Sequence, residues 1–131
     1  MSNVILVPIS AGELFDKISI LEIKSERLFN EEKLANVNHE MRLLKDVSKS
    51  LTFPDREKLI AILPKLKEVN ERIWEAEDNI RDFEKKHIFD ENFLSVARSI
   101  YRLNDTRAAV KRDLNLLCSS IVVEEKSYSK Y

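Results

Sequence analysis

The chain has 131 residues, with 22 basic against 23 acidic side chains and a net charge of -1. A chain of that length is one domain by the usual size prior, and burying roughly two-thirds of its unfolded surface gives it a real core. The balanced charge excludes the bulk electrostatic footprint of a nucleic-acid or anionic-membrane binder, and a lone Cys118 excludes an internal disulfide.

Apolar residues make up 44% and charged residues 34%, with one Gly and three Pro. That mixture points to helices, which carry charge on their outer faces and tolerate few breakers inside. The leading MSNVILVPIS is apolar but has no basic start and is too short for a signal peptide or a membrane span. A cytoplasmic, membrane-free protein is expected.

Val4 to Pro8 reads as a short extended edge segment, because Pro8 has no amide to donate to a central ladder. Ser10-Ala-Gly-Glu13 has the form of a capping box and starts the first helix, about 11–29. Leu14, Ile18, Leu21 and Leu28 mark its stripe, and Ile20 and Ile23 widen it, so cover on more than one side is expected. The second helix, about 33–51, places Leu34, Val37, Met41, Leu44 and Leu51 near one face. His39 lies on its polar side with no metal ligand at helical spacing, which makes it a solvated surface residue.

Ser48 to Asp55 breaks the pattern. A third helix, about 56–87, then carries a narrow seam of Leu59, Ile62, Leu66, Val69, Ile73, Ala76, Ile80 and Phe83. Pro64 lies inside it, and a kink or break is expected there. Asp90 caps a fourth helix, about 91–119, with Val96, Ile100, Leu103, Val110, Leu114, Leu117 and Ile121 on its stripe. The expected fold is a single all-α domain over 1–131. It is an antiparallel four-helix bundle, with sequential helices as neighbours because each connection is short, long third and fourth helices, and short extended N- and C-terminal segments. Val4–Ile9 and Ile121–Glu124 are expected at the same end, where they can pair. At about 1.5 Å per residue, the later two helices reach roughly 45 Å and the first two only about 28 Å. Part of the long hairpin is then uncovered, and a homodimer is the ordinary way to bury it.

Polar groups crowd the packing edges. Tyr101, Asn104, Lys111 and Asn115 lie one stripe round from the fourth seam, and Arg107 falls within the seam itself. Asn70, Trp74, Glu77, Arg81 and Glu84 form a flank on the third helix; Glu13, Lys17, Lys24 and Arg27 form a line on the first. Two readings fit. One is a set of inter-helix salt bridges with snorkelling stems. The other is a polar pocket in which Arg and Lys hold an anion, a carboxylate handles protons and Asn orients the ligand.

Glu13-x-x-Asp16 and Glu75-x-x-Asp78 have the spacing of paired Mg²⁺ carboxylates, but such pairs are frequent in charged helices. Arg98, Arg102, Arg107, Lys111 and Arg112 make the fourth helix basic within a neutral whole, so nucleic acid is an unlikely partner on this sequence. One glycine leaves no phosphate loop, and neither a metal set nor a cofactor is expected.

The segments VPISAGELFDKISILEIKSERL, VNERIWEAEDNIRDFE and ARSIYRLNDTRAAVKRDLNLLCSSIVVEEKSY resemble a family of short bacterial and phage proteins of unknown function. The likeness spans nearly the whole chain, and EEKSY is its most distinctive piece. It implies a small stand-alone protein and carries no activity with it. A looser similarity of architecture alone links the chain to the helical chorismate mutases.

The sequence therefore points to a helical-bundle binding protein, expected as a homodimer, that contacts a partner protein or a small anionic ligand through an inter-helix polar site. The candidate ligand residues are Lys17, Lys24, Arg27, Glu77, Arg81, Asn104, Arg107 and Lys111. The alternative is an enzyme on an anionic metabolite in the same site, with Glu77 or Asp78 as acid–base.

Overall fold

A computed structural model describes residues 3–120 and 124–131. Its helices are α1 (Ala11–Arg27), α2 (Glu31–Ser50), α3 (Arg56–Lys85) and α4 (Glu91–Leu117). Each begins after a short polar residue. Ser10, Asn30, Asp55 and Asp90 are extended, and their side-chain oxygens accept from amides of the first turn. These acceptors satisfy donors that a helix cannot satisfy internally. At α1 only half of the capping box forms. Ser10 accepts from the Glu13 amide, but the Glu13 carboxylate turns to Lys111 instead of back to Ser10.

The ends of α3 and α4 are made without glycine. His87 and Ser119 take left-handed φ angles of 56° and 52°. Beyond each, the chain closes back on the last turn, with Ile88 N–H donating to the Phe83 carbonyl and Ser120 N–H to the Asn115 carbonyl. This six-residue closure satisfies carbonyls that the helix leaves open.

All regular structure among the described residues is helical, and α3 and α4, the longest elements, pack along each other. The helix α1 lies against both and also against α2. This explains its wide stripe: Leu14, Phe15, Ile18, Leu21 and Ile23 are all buried. By contrast α2 and α3 make no close backbone approach, although a short connection joins them. The helix α2 lies outside the α1–α3–α4 core, and Val37 is its one buried residue. The core itself is Leu14, Phe15, Ile18, Leu59, Leu66, Val69, Ala76, Leu103 and Leu114. The seams expected on α3 and α4 supply six of these nine.

The helix α3 runs unbroken through Pro64. Pro64 and Ile60 are both exposed, so water can satisfy the carbonyl that loses its proline partner. Residues 3–9 form neither strand nor helix, and Val4 to Val7 stand open to solvent. The expected pairing partner for this segment includes 121–123, which lie outside the described residues. The tail from Glu124 onward lies back along α4, tied by Lys111–Glu124, Arg112–Glu125 and Asp105–Tyr131 contacts.

Candidate functional site

The polar groups meet where α1, α3 and α4 come together. Gly12 brings α1 close to α4. A Cβ there would stand 2.6 Å from the Lys111 carbonyl oxygen and 2.9 Å from Asn115 Oδ1. The approach lets Gly12 N–H donate to Asn115 Oδ1 at 2.7 Å and Ala11 N–H donate to Ser120 Oγ at 3.2 Å. The last turn of α4 thereby caps the first turn of α1.

One turn along, Lys111 reaches into a carboxylate cluster. Its Nζ is 3.0 Å from Glu13, 2.9 Å from Glu124 and 3.8 Å from Asp16, and its side chain is only 12% exposed. Burial by itself pushes the ammonium toward neutrality. The hydrogen bonds to Glu124 and Glu13, with the charge of Asp16, more than offset that, and the pKa stands above its ordinary value. The same ammonium draws the Glu124 carboxyl below the usual carboxylate range. Glu13 and Asp16, which have metal-pair spacing in sequence, thus hold a lysine.

Asp16 continues the network into α3. Asn70 Nδ2 donates to Asp16 Oδ1 at 2.8 Å and to Ser19 Oγ at 2.7 Å. On its other side Asn70 Oδ1 accepts from Arg107 at 3.4 Å. The second amino group of Arg107 donates to Asn104 Oδ1 at 2.7 Å. Arg107 is half-buried and its hydrogen bonds go to two neutral amides; among the described residues it makes no ion pair. Its charge helps to lower the Glu124 carboxyl, but no carboxylate of the described residues bonds it, so the donors that the two amides do not use are free to meet an anion.

Arg107 lies between two cavities. The larger, of about 1150 Å³, runs between α4 and the tail, with Asn104, Arg107, Lys126, Lys130 and three tyrosines in its wall. The smaller, of about 300 Å³, has an apolar floor of Ile20, Ile23, Ile73 and Trp74 and a rim of Glu77, Asp78, Arg81 and Arg107. The larger is at the upper end of the size range for small-molecule sites, and the smaller is at the lower end.

The candidate residues divide accordingly. Asn104 and Arg107 line the larger cavity, and Arg107, Glu77 and Arg81 the smaller. Glu77 and Arg81 also pair with each other along α3. Lys111 belongs to the carboxylate cluster. Lys17 is exposed, 3.9 Å from Glu13, and Arg27 bridges to Glu71 at 3.5 Å and Glu75 at 3.2 Å. Lys24 is half-buried on α1 and lines neither cavity. Salt bridging and convergence on a concave site both occur, and Glu77 and Arg81 take part in both. Asp16, Asn70, Glu124 and the aromatic tail were not among the ligand candidates, although Asp16 stood in a carboxylate pair, Asn70 on the polar flank of α3, and Glu124 and Tyr128 in or beside the EEKSY segment. The single glycine marks where two helices must touch.

A family model, described as a family of unknown function, matches residues 5–131. The chain belongs to DUF6165. No curated protein and no solved structure matches this DUF6165 chain. No described helix is long and apolar enough to cross a membrane.

Proposed function

We propose that this DUF6165 chain binds a small anionic ligand in the cavity between α4 and its tail, with Arg107 at the floor. The observation that carries this reading is the setting of Arg107: half-buried, held in place by the oxygens of Asn70 and Asn104, and without a carboxylate partner among the described residues. Lys126 and Lys130 line the same cavity, and Asp105 is the one acidic residue among its described lining, so the local charge favours an anion. Asn104 orients the guanidinium, Lys111 anchors the tail through Glu124, and Glu77 with Arg81 borders the far side of Arg107.

The test is thermal unfolding in the presence of inorganic phosphate, pyrophosphate or citrate. The unaltered protein should show a Tm rise of about 2–4 °C at saturating anion, and Arg107→Ala and Arg107→Gln should not. An equal rise in all three proteins would sink the reading.

The same reading includes a homodimer in the cytoplasm. The support for the dimer is the exposed row of Leu43 and Val47 on α2 with Leu51 just past its end, on a helix whose backbone approaches only α1, together with the exposed Val4 to Val7. Light scattering at micromolar concentration should give twice the chain mass; a monomer would contradict it.

A further inference from the structure

The chain has three tyrosines, and all of them, Tyr101, Tyr128 and Tyr131, line the cavity above Arg107. Two are in the tail and contribute little to the core: Tyr128 is 79% exposed and Tyr131 72%. The ring of Tyr131 packs edge-on against Tyr101 with centroids 4.8 Å apart, and its hydroxyl donates to Asp105 at 2.6 Å. The tail thus carries two phenol rings to a wall that already holds a third, and fixes one of them by both its ring and its hydroxyl.

Anion capture needs cations and amides, and the rings serve it only by holding cations: Lys126 stands 6.0 Å from the Tyr128 ring centroid and Arg102 5.9 Å from that of Tyr131. Arg107, Lys126 and Lys130 already meet that need. Exposed aromatic rings around a cavity offer flat, polarisable faces, which recognise other flat rings by stacking. The cavity, at about 1150 Å³, has room for a ring system as well as an anionic group.

We infer that the ligand is a small molecule carrying a planar aromatic ring beside an anionic group, of the nucleoside monophosphate class. The anionic group meets Arg107 and the tail lysines, and the ring lies against the tyrosine wall. Tyr128, the most exposed of the three, is the ring's main contact. This inference rests on the anion-binding reading of the same cavity and specifies what else the ligand must have.

Isothermal titration with AMP, ribose 5-phosphate and adenosine separates the two ideas. AMP should bind at least about tenfold more tightly than ribose 5-phosphate, as expected for one stacked base. Tyr128→Ala should remove most of that preference while Tyr128→Phe keeps it; both substitutions are on an exposed tail residue, so the fold is not at stake. Equal binding of AMP and ribose 5-phosphate would overturn the ring inference and leave the anion reading standing. Adenosine binding as tightly as AMP would overturn the anionic part. Binding of none of the three, with no Tm rise from inorganic phosphate, pyrophosphate or citrate, would overturn both.

Discussion

Gly12 touches the backbone of Lys111: a Cβ on the first residue would lie 2.6 Å from the carbonyl oxygen of the second. The atom it would meet belongs to a helix backbone and cannot swing aside. Exchanging glycine for alanine within a helix ordinarily gains about 0.5–1 kcal/mol. Here the sign reverses. Gly12→Ala should cost about 1–3 kcal/mol, because α1 must lift from α4 to fit the methyl. Urea unfolding monitored by circular dichroism measures it, and a more stable Gly12→Ala protein would refute the close contact.

Asn70 joins Asp16 and Ser19 to Arg107, and no side chain of other chemistry does the same. Asn70→Leu keeps the branching and heavy-atom count of the side chain but leaves the buried Asp16 carboxylate without that donor. The expected loss is about 2 kcal/mol. A double-mutant cycle with Asp16→Asn should return a coupling of about 1 kcal/mol or more, whereas strict additivity would show that the two residues act independently.

Lys111 and Glu124 give the tail a pH-dependent hold. The Glu124 carboxyl is lowered in the folded state, so its contribution is present above its ordinary pKa of 4.5 and is lost as pH falls through the lowered value. The Lys111 ammonium is raised, so its contribution is complete below its ordinary pKa of 10.5 and is lost as pH rises through the higher value. Between those limits the hold should be level. Glu124→Gln should weaken it near neutrality by no more than about 0.5–1 kcal/mol, since Glu124 is half open to water, and should make no difference in strong acid. Fluorescence of the tail tyrosines against pH would follow it; a mutant and parent that differ equally at pH 2 and pH 7 would disprove the link.

His87 occupies a left-handed turn at φ 56°, where a side chain is strained and glycine is not. His87→Gly should therefore raise stability by about 0.5 kcal/mol, after allowing for the extra freedom of glycine in the unfolded chain. A measured loss would indicate that the edge contact of His87 with Phe89 matters more than the backbone strain.

Much of the fold was legible because apolar spacing reports it directly. The seam residues Leu59, Leu66, Val69, Ala76, Leu103 and Leu114 are core. Ser10 and Asp90 are caps because their side chains do the same local task in any fold. The position of α2 was not legible. A short connection suggested adjacency to α3, but α1 makes the close approach to α3 instead, and periodicity does not say which neighbour a stripe meets. The candidate site was legible in part. Arg107 was visible as a charge in an apolar seam, whereas Asp16 and Asn70 are buried polar residues whose partners are more than fifty positions apart. Lys126, Tyr128 and Tyr131 follow no helical period, so no pattern could place them over Arg107.

The attachment of α2 to a single neighbour has a consequence for how the molecule comes apart. Releasing α2 breaks its interface with α1 and little else, while releasing α3 or α4 dismantles the core. The protein should therefore have two tiers of protection. Amides of α2 would exchange with solvent hydrogen through a partial opening, and those of α3 and α4 only through global unfolding. Among the four helices α2 is then the first to detach, leaving α1, α3 and α4 to hold the core.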